Sequence, residues 1–203
     1  MFKETLVSAK TVNRRKKIFG VGIIDVPYNI KYKGEYCPYC KVWASMICRC
    51  YSKNKREMYV GCTVCDNWLI LSNFRRWMEK QDWKNMCLDK DILILGNKEY
   101  NPNGCVFVTV YINTMFQNTK HSKKLKGVQY MKNSGKYRVV VKTKHLGCYF
   151  SLTKANKVYI KAKAKVLADE FKNILDVRIK NGLYKLLLDL NKENKKKIKV
   201  FSV

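Results

Sequence analysis

The chain has 203 residues, with 42 Lys and Arg against 15 Asp and Glu, so its formal net charge is +27. Apolar residues make up 47% of it, which is enough for a hydrophobic core and excludes a disordered basic tail. The charge is far outside the balance of an ordinary soluble enzyme and is typical of proteins that bind a polyanion. An AT-rich genome also enriches lysine on solvated faces, so part of the excess has a second explanation. We expect nucleic acid as the partner, with an acidic membrane or an acidic protein as alternatives.

The compartment is predicted from what the sequence lacks. No apolar run approaches the roughly 18–20 residues of a membrane span, and the basic N-terminus has no apolar signal segment. We therefore expect a cytoplasmic protein with no membrane partner. In a reducing compartment its nine cysteines are expected as metal ligands or buried side chains, not as disulfides.

The N-terminal segment is a basic arm over residues 13–17, followed by an apolar strand or loop over residues 18–26. Arg14 and Arg15 are the candidate phosphate ligands of this arm.

Two amphipathic helices are predicted next, because apolar residues recur at intervals of three and four. The second begins near Ser72, with Ser72 or Asn73 as its N-cap. The dense aromatic residues of this region share the helical spacing, so we interpret them as core and not as base-stacking groups. The inward positions are Trp43, Met46, Ile47 and Cys50 in the first helix and Phe74, Trp77 and Met78 in the second.

A hairpin and a helix are predicted in the middle of the chain. Residues 88–95 and 105–110 are strand candidates separated by Gly and Asn turn signals, and residues 109–116 are a helix candidate. A short strand is also expected over residues 59–64. The polar segment 118–126 is interpreted as an interdomain linker.

Three short strands and a helix are predicted after this linker. The strands cover residues 127–130, 137–142 and 145–150, the last two joined by a turn at Thr143-Lys144. The helix that follows is expected to have Thr153 as its N-cap. On the middle strand Arg138 and Lys142 share the face opposite Tyr137, Val139 and Val141, which would meet the helix.

The predicted class is therefore α+β with two modules. The first is a cysteine-rich module over residues 1–117, and residues 118–126 follow as the linker. The second, over residues 127–176, is a three-stranded antiparallel sheet packed on one helix. A basic helical tail covers residues 177–203.

The second module resembles the APETALA-type DNA-binding domain of plant transcription factors, which also occurs in phage nucleases. In that family the open face of the sheet lies in the major groove, which implies duplex DNA as the partner here. The implied DNA contacts are Arg138, Lys142 and Lys144, together with Lys132 and Lys136. The strand arginines and tryptophans that read bases in the plant domains are largely absent, so weak sequence preference is implied. The matching motifs are Gly127-Val128, Gly135-Lys136-Tyr137-Arg138-Val139, His145-Leu146-Gly147 and Phe150-Ser151-Leu152-Thr153.

The first module resembles a group of tailed-phage proteins related to HNH homing endonucleases, in which a ββα element binds one divalent metal. The resemblance places Asp89 at a metal-ligand position and Lys90 where the general-base histidine is expected, so the base is missing. If the chain were an active nuclease, Asp89, Asp91, Asn103 and Asn113 would be the candidates for holding Mg²⁺. The matching motifs include Cys62-Thr63-Val64-Cys65-Asp66-Asn67-Trp68, Leu88-Asp89-Lys90-Asp91-Ile92 and Tyr100-Asn101-Pro102.

From these resemblances we expect a phage-encoded protein that binds duplex DNA, has an HNH scaffold without cleavage activity, and is located in the bacterial cytoplasm. The alternatives are an active metal-dependent endonuclease, an RNA-binding protein, and an accessory protein that binds a host defence or transcription complex.

Two CxxC pairs, Cys37/Cys40 and Cys62/Cys65, have the spacing with which four thiolates bind a structural zinc ion. Cys48, Cys50 and Cys105 are competing ligands, so one alternative is a zinc site with three of these thiolates and Cys105 as the fourth ligand. The other alternative is that the cysteines are buried free thiols.

Overall fold

The backbone forms two units in the computed structural model, which describes residues 2–120, 127–174 and 176–185. The units are Met1–Val110 and Tyr111–Val203. Both contain helices and short strands, which confirms the α+β class. Residues 118–120 of the expected linker lie in a helix, and residues 121–126 lie outside the described residues.

The first unit is built from short elements joined by ordered loops. Two 3₁₀ helices, Glu57–Tyr59 and Asp66–Leu69, lie between its longer elements. The helices are α1 (Ala9–Asn13), α2 (Pro38–Tyr51) and α3 (Leu71–Met78), and the strands are β1 (Lys31–Tyr32), β2 (Glu35–Tyr36), β3 (Thr63–Val64), β4 (Met86–Asp89), β5 (Glu99–Tyr100) and β6 (Val106–Thr109).

Trp43, on the inner face of α2, is at the centre of the first core. Its Nε1 donates a hydrogen bond to the carbonyl oxygen of Trp68 at 2.7 Å, and both indoles are fully buried. Gly22 is required beside it, since a Cβ at that position would lie 2.7 Å from Trp43 Cη2. Phe74 of α3 packs edge-on against Trp68 with ring centroids 5.0 Å apart. The predicted helix and its inward face are confirmed, and the aromatic residues are core.

The start of α3 is stabilised from a distant part of the chain. Ile70 occupies the N-cap position, so the prediction of Ser72 or Asn73 as the cap is wrong. Asp25 Oδ1 instead accepts the backbone N–H of Ser72 at 2.9 Å. The segment carrying Asp25 runs beside the helix start, because Ile23 and Ile70 form a parallel bridge.

The predicted strands of the first unit are shorter than expected. Residues 59–64 form the end of a 3₁₀ helix and then β3, which pairs in parallel with β5. The strand expected over residues 88–95 ends at Asp89, and β4 pairs antiparallel with β6. The following helix, α4 (Val110–Lys120), begins directly after β6 and belongs almost wholly to the second unit.

The second unit contains an antiparallel sheet in the order β7-β8-β9. A 22-residue helix, α5 (Leu152–Asn173), follows it, and residues 177–185 are helical, while the rest of the predicted tail lies outside the described residues. Val139, Ala155 and Tyr159 form the buried core between sheet and helix. The strands are β7 (Val128–Met131), β8 (Lys136–Val141) and β9 (Lys144–Tyr149).

Two local predictions in this unit are wrong by one or two residues. The turn between β8 and β9 is Lys142-Thr143, with Lys142 in the left-handed region at φ +56°, because Lys144 already pairs with Val141. The side chain that caps α5 is Ser151, whose Oγ accepts the backbone N–H of Lys154 at 3.3 Å, and not Thr153.

Candidate nucleic-acid interface

The alternation of β8 divides the sheet into a packed face and an open face. Tyr137, Val139 and Val141 point toward α5 and pack around the core of the unit. Arg138, between them, is exposed on the other side. Its cross-strand partners are Gln129 of β7 and Cys148 of β9, which are also exposed. A row of three polar or polarizable side chains therefore crosses the open face at the level of Arg138.

One end of the open face combines a cation with an aromatic ring. Lys136 lies two residues before Arg138 and therefore on the same face. Its Nζ is 4.7 Å from the ring centroid of Phe150, the residue directly after β9. Phe150 is 76% exposed. Lys132 is exposed in the turn that joins β7 to β8, at this same end of the sheet.

The other two predicted DNA contacts lie at the opposite end of the sheet. Lys142 is in the turn after β8, and its Nζ lies 4.3 Å from the ring centroid of Tyr111 in α4. The expectation that Lys142 shares the strand face of Arg138 is therefore wrong, because β8 ends one residue earlier. Lys144 is exposed and opens β9 opposite Val141. The structure brings Lys136 and Arg138 together and places Lys142 and Lys144 apart from them.

The sequence patterns do not predict a role for two side chains of the open face, Cys148 and Phe150. Cys148 Sγ lies 3.5 Å from Nε2 of His145, and both residues are exposed. The sequence predicts Phe150 only as the last residue of a strand, with no functional role. Cys148 is on the open face because it pairs with Arg138. This register depends on the turn between β8 and β9, and the sequence predicts that turn one residue too late.

The two arginines of the N-terminal arm have different surroundings. Arg14 is the C-cap residue of α1 and is exposed. The guanidinium of Arg15 donates hydrogen bonds to three backbone carbonyl oxygens, those of Ile24 at 3.3 Å, Val26 at 2.7 Å and Tyr28 at 2.6 Å. The planar donors of Arg15 thus hold the chain that follows the arm, whereas Arg14 faces solvent.

The loop that follows β4, in the region that resembles an HNH core, contains an ion pair. Lys90 is only 4% exposed, and its ammonium contacts Asp91 Oδ2 at 3.0 Å and donates to the carbonyl oxygen of Asn97. Asp89 Oδ1 accepts the backbone N–H groups of Asp91 at 2.8 Å and Ile92 at 2.7 Å. Burial raises the pKa of Asp89, which is 6% exposed. Both aspartates therefore have hydrogen-bond or ion-pair partners within the protein.

The remaining nuclease candidates lie in other elements of the chain. The backbone N–H of Asn103 donates to Asn101 Oδ1 at 3.0 Å in an exposed turn. Asn113 lies in α4, within the second unit. Across residues 2–120, 127–174 and 176–185, no three His, Cys, Asp or Glu side chains are placed to hold a metal ion.

The cysteines of the two CxxC pairs are distributed in the first core. Cys37 precedes α2 and Cys40 lies in its first turn, both buried. Burial, with the neighbouring Cys37, raises the pKa of the Cys40 thiol to about 11. Cys62 Sγ contacts the carbonyl oxygen of Met58 at 3.9 Å, and Cys65 is half-buried. Within the described part of the chain these thiols belong to no group of three or more metal-ligating side chains, and zinc binding by them stays a prediction.

No protein-family model, curated protein or solved structure matches the chain. None of the helices in the described ranges is sufficiently long and apolar to cross a membrane.

Proposed function

We propose that the chain binds nucleic acid, with duplex DNA as the preferred form, through the open face of the sheet β7-β8-β9. The observation that carries this proposal is that Lys136 and Arg138 lie side by side on one sheet face while the other face packs on α5. A sheet with one free basic face fits the major groove, where strands can lie against base edges and phosphates.

The net charge of +27 supports a phosphate backbone as the ligand, because each neutralised phosphate releases counterions. Lysine binds phosphate as a point charge, whereas bidentate arginine contacts specify guanine. With Arg138 as the single arginine among the proposed sheet contacts, the affinity is expected to depend more on salt than on sequence.

We propose that the protein binds DNA without cleaving it. Directly after β4, Lys90 is paired with Asp91 at the position where the HNH resemblance requires a histidine base. Incubation with supercoiled plasmid in Mg²⁺, Mn²⁺ or EDTA tests this directly. A mobility shift without nicking is expected, and metal-dependent nicking that Asp89→Ala abolishes would replace the proposal with an active endonuclease.

The binding test compares two double variants that remove the same charge. Lys136→Ala/Arg138→Ala removes two cations from the open face, and Lys157→Ala/Lys161→Ala removes two exposed cations from α5. The first variant should lose at least tenfold in affinity for a 20-bp duplex. It should also flatten the slope of log K against log salt by about 2, since each phosphate contact contributes about 0.9.

The control variant is expected to change the affinity only slightly. Equal losses in both variants would show that binding follows total charge and not this face, and no salt dependence in the wild type would exclude phosphate binding. Competition with structured RNA distinguishes the polymer. Tighter binding to RNA would leave the open face as the binding surface but would overturn the proposed preference for DNA.

A further inference from the structure

Phe150 is an exposed aromatic ring outside the described core of its unit. It is 76% exposed and lies outside the cluster of Val139, Ala155 and Tyr159. Covering an apolar side chain of this size removes it from water and is favourable, so the ring is a candidate contact for a partner. Its neighbour Tyr149 shows the contrast, because that ring packs against the core and its hydroxyl donates to the carbonyl oxygen of Leu146 at 2.7 Å.

The surroundings of Phe150 are cationic. The ammonium of Lys136 lies 4.7 Å from its ring centroid, and Lys132 is exposed in the turn at the same end of the sheet. An exposed ring among lysines is charge-complementary to a nucleotide, whose base stacks on an aromatic face while its phosphate meets the cations.

A second exposed aromatic residue, Tyr130, lies on the other face of this sheet. Tyr130 pairs with Tyr137 in the register, and their ring centroids are 5.0 Å apart. Tyr137 packs toward α5, so this pair belongs to the opposite face. Phe150, by contrast, borders the face that carries Arg138.

The spacing along the strand fits a nucleic-acid ligand. Phe150 lies two residues beyond Cys148, which pairs with Arg138. Two residues of a strand span about 7 Å, which equals about two base steps of 3.4 Å. A base two steps from the contact of Arg138 can reach the ring only if it is unpaired, because a paired base has its faces covered by its neighbours in the stack.

We propose that Phe150 stacks on an unpaired nucleobase in or beside a duplex, so that the protein prefers bulged or gapped DNA over perfect duplex. This inference rests on the proposed function, since it assumes that the open face carries the polymer. Phe150 supplies the stacking surface, and Lys136 and Lys132 neutralise the phosphate of the extruded nucleotide.

The experiment uses the full chain and two DNAs, a 20-bp duplex and the same duplex with one extra 2-aminopurine nucleotide as a bulge. Affinity is measured by anisotropy and stacking by the 2-aminopurine fluorescence. The wild type should bind the bulged DNA more tightly and change its fluorescence. Phe150→Ala should lose roughly five- to one-hundred-fold in affinity for the bulged DNA and little for the perfect duplex, as expected for one stacked base.

Two further variants separate stacking from apolar burial. Phe150→Trp should keep the preference for the bulge, and Phe150→Leu should lose it. If Leu keeps the preference, or if the wild type binds both DNAs equally, the inference is wrong while the proposed function stands. If the wild type binds neither DNA, or Lys136→Ala/Arg138→Ala binds both as well as the wild type does, the proposed function itself fails. Circular dichroism confirms that each variant is folded, as expected for an exposed side chain.

Discussion

Asp25 Oδ1 accepts the backbone N–H of Ser72 at 2.9 Å and thereby satisfies one of the free donors at the start of α3, 47 residues further along the chain. The first backbone N–H groups of a helix have no partner inside it, and a carboxylate near them also interacts favourably with the helix dipole. Together with the backbone hydrogen bond from the N–H of Leu71 to the carbonyl oxygen of Ile23, this contact ties the segment after the basic arm to α3.

Removal of this contact should destabilise the first unit. We expect Asp25→Ala to lower the free energy of unfolding by about 1 kcal/mol, and Asp25→Asn to lower it by less, because an amide oxygen still accepts the bond. All four tryptophans lie in the first unit, so urea unfolding followed by Trp fluorescence reports on this unit alone. Asp82→Ala, which removes an exposed carboxylate, is the matched control and should have no effect. A loss of equal size in the control would assign the effect to net charge.

Arg15 should be a structural residue even though it lies in the basic arm. Its guanidinium bonds to the carbonyl oxygens of Ile24, Val26 and Tyr28, and its loss leaves these acceptors without a charged donor. Arg15→Ala is expected to lower the free energy of unfolding by about 2–3 kcal/mol, measured by the same fluorescence signal. Arg14→Ala, one residue away and exposed, should leave stability within about 0.5 kcal/mol. The prediction is contradicted if the two variants unfold at the same urea concentration.

Local sequence patterns were sufficient to predict α2 and the two faces of β8. The helical period of Trp43, Met46 and Ile47 and the strand period of Tyr137, Val139 and Val141 both require burial on one side only. The same period predicts that Arg138 lies on the open face, because it assigns every residue of a strand to one of two faces.

Contacts that depend on tertiary packing could not be predicted. The carbonyl contacts of Arg15 and the cap from Asp25 join segments whose proximity no local pattern encodes. Lys142 was misplaced because a non-glycine residue at positive φ ended the strand early. The spacing of a CxxC pair fixes the distance within the pair, but the positions of Cys37 and Cys62 relative to each other depend on how α2 packs.

Cys148 offers a chemical footprint of the proposed interface. It is the exposed thiol among nine free cysteines, all within the described part of the chain, and it pairs with Arg138 in the register. Burial raises the pKa of Cys50 and of Cys105 to about 12, so their reactive thiolate fraction is very small near pH 7.5. Iodoacetamide should therefore modify Cys148 first, as read by mass spectrometry of the intact protein and its peptides.

Saturating duplex DNA should slow the alkylation of Cys148 at least fivefold if the open face binds the polymer. Cys148→Ser should lose the fast phase of labelling and retain DNA binding, which identifies the reacting residue. Unchanged labelling of Cys148 in a complex that still migrates as a shifted band would place the interface elsewhere on the protein.

Lys163 of α5 should make the stability of the second unit depend on pH. The residue is 6% exposed, and burial lowers its pKa from 10.5 to about 8. Between these two values the unfolded chain holds a proton that the folded chain has lost, so the free energy of unfolding rises as pH increases from 8 toward 10.5. Below pH 8 the folded state carries a desolvated charge and is less stable.

Lys163→Met removes this charge and should stabilise the second unit at pH 7 by up to about 3 kcal/mol, taking about 1.4 kcal/mol for each pKa unit. The gain should shrink to nothing as the pH approaches 10.5. Lys161→Met, an exposed position on the same helix, is the control and should follow the wild type at every pH. Because the second unit contains no tryptophan, its unfolding is measured by hydrogen exchange of peptides from β8 together with circular dichroism. Parallel pH profiles for the two variants would show that Lys163 titrates like a solvated lysine in the folded protein.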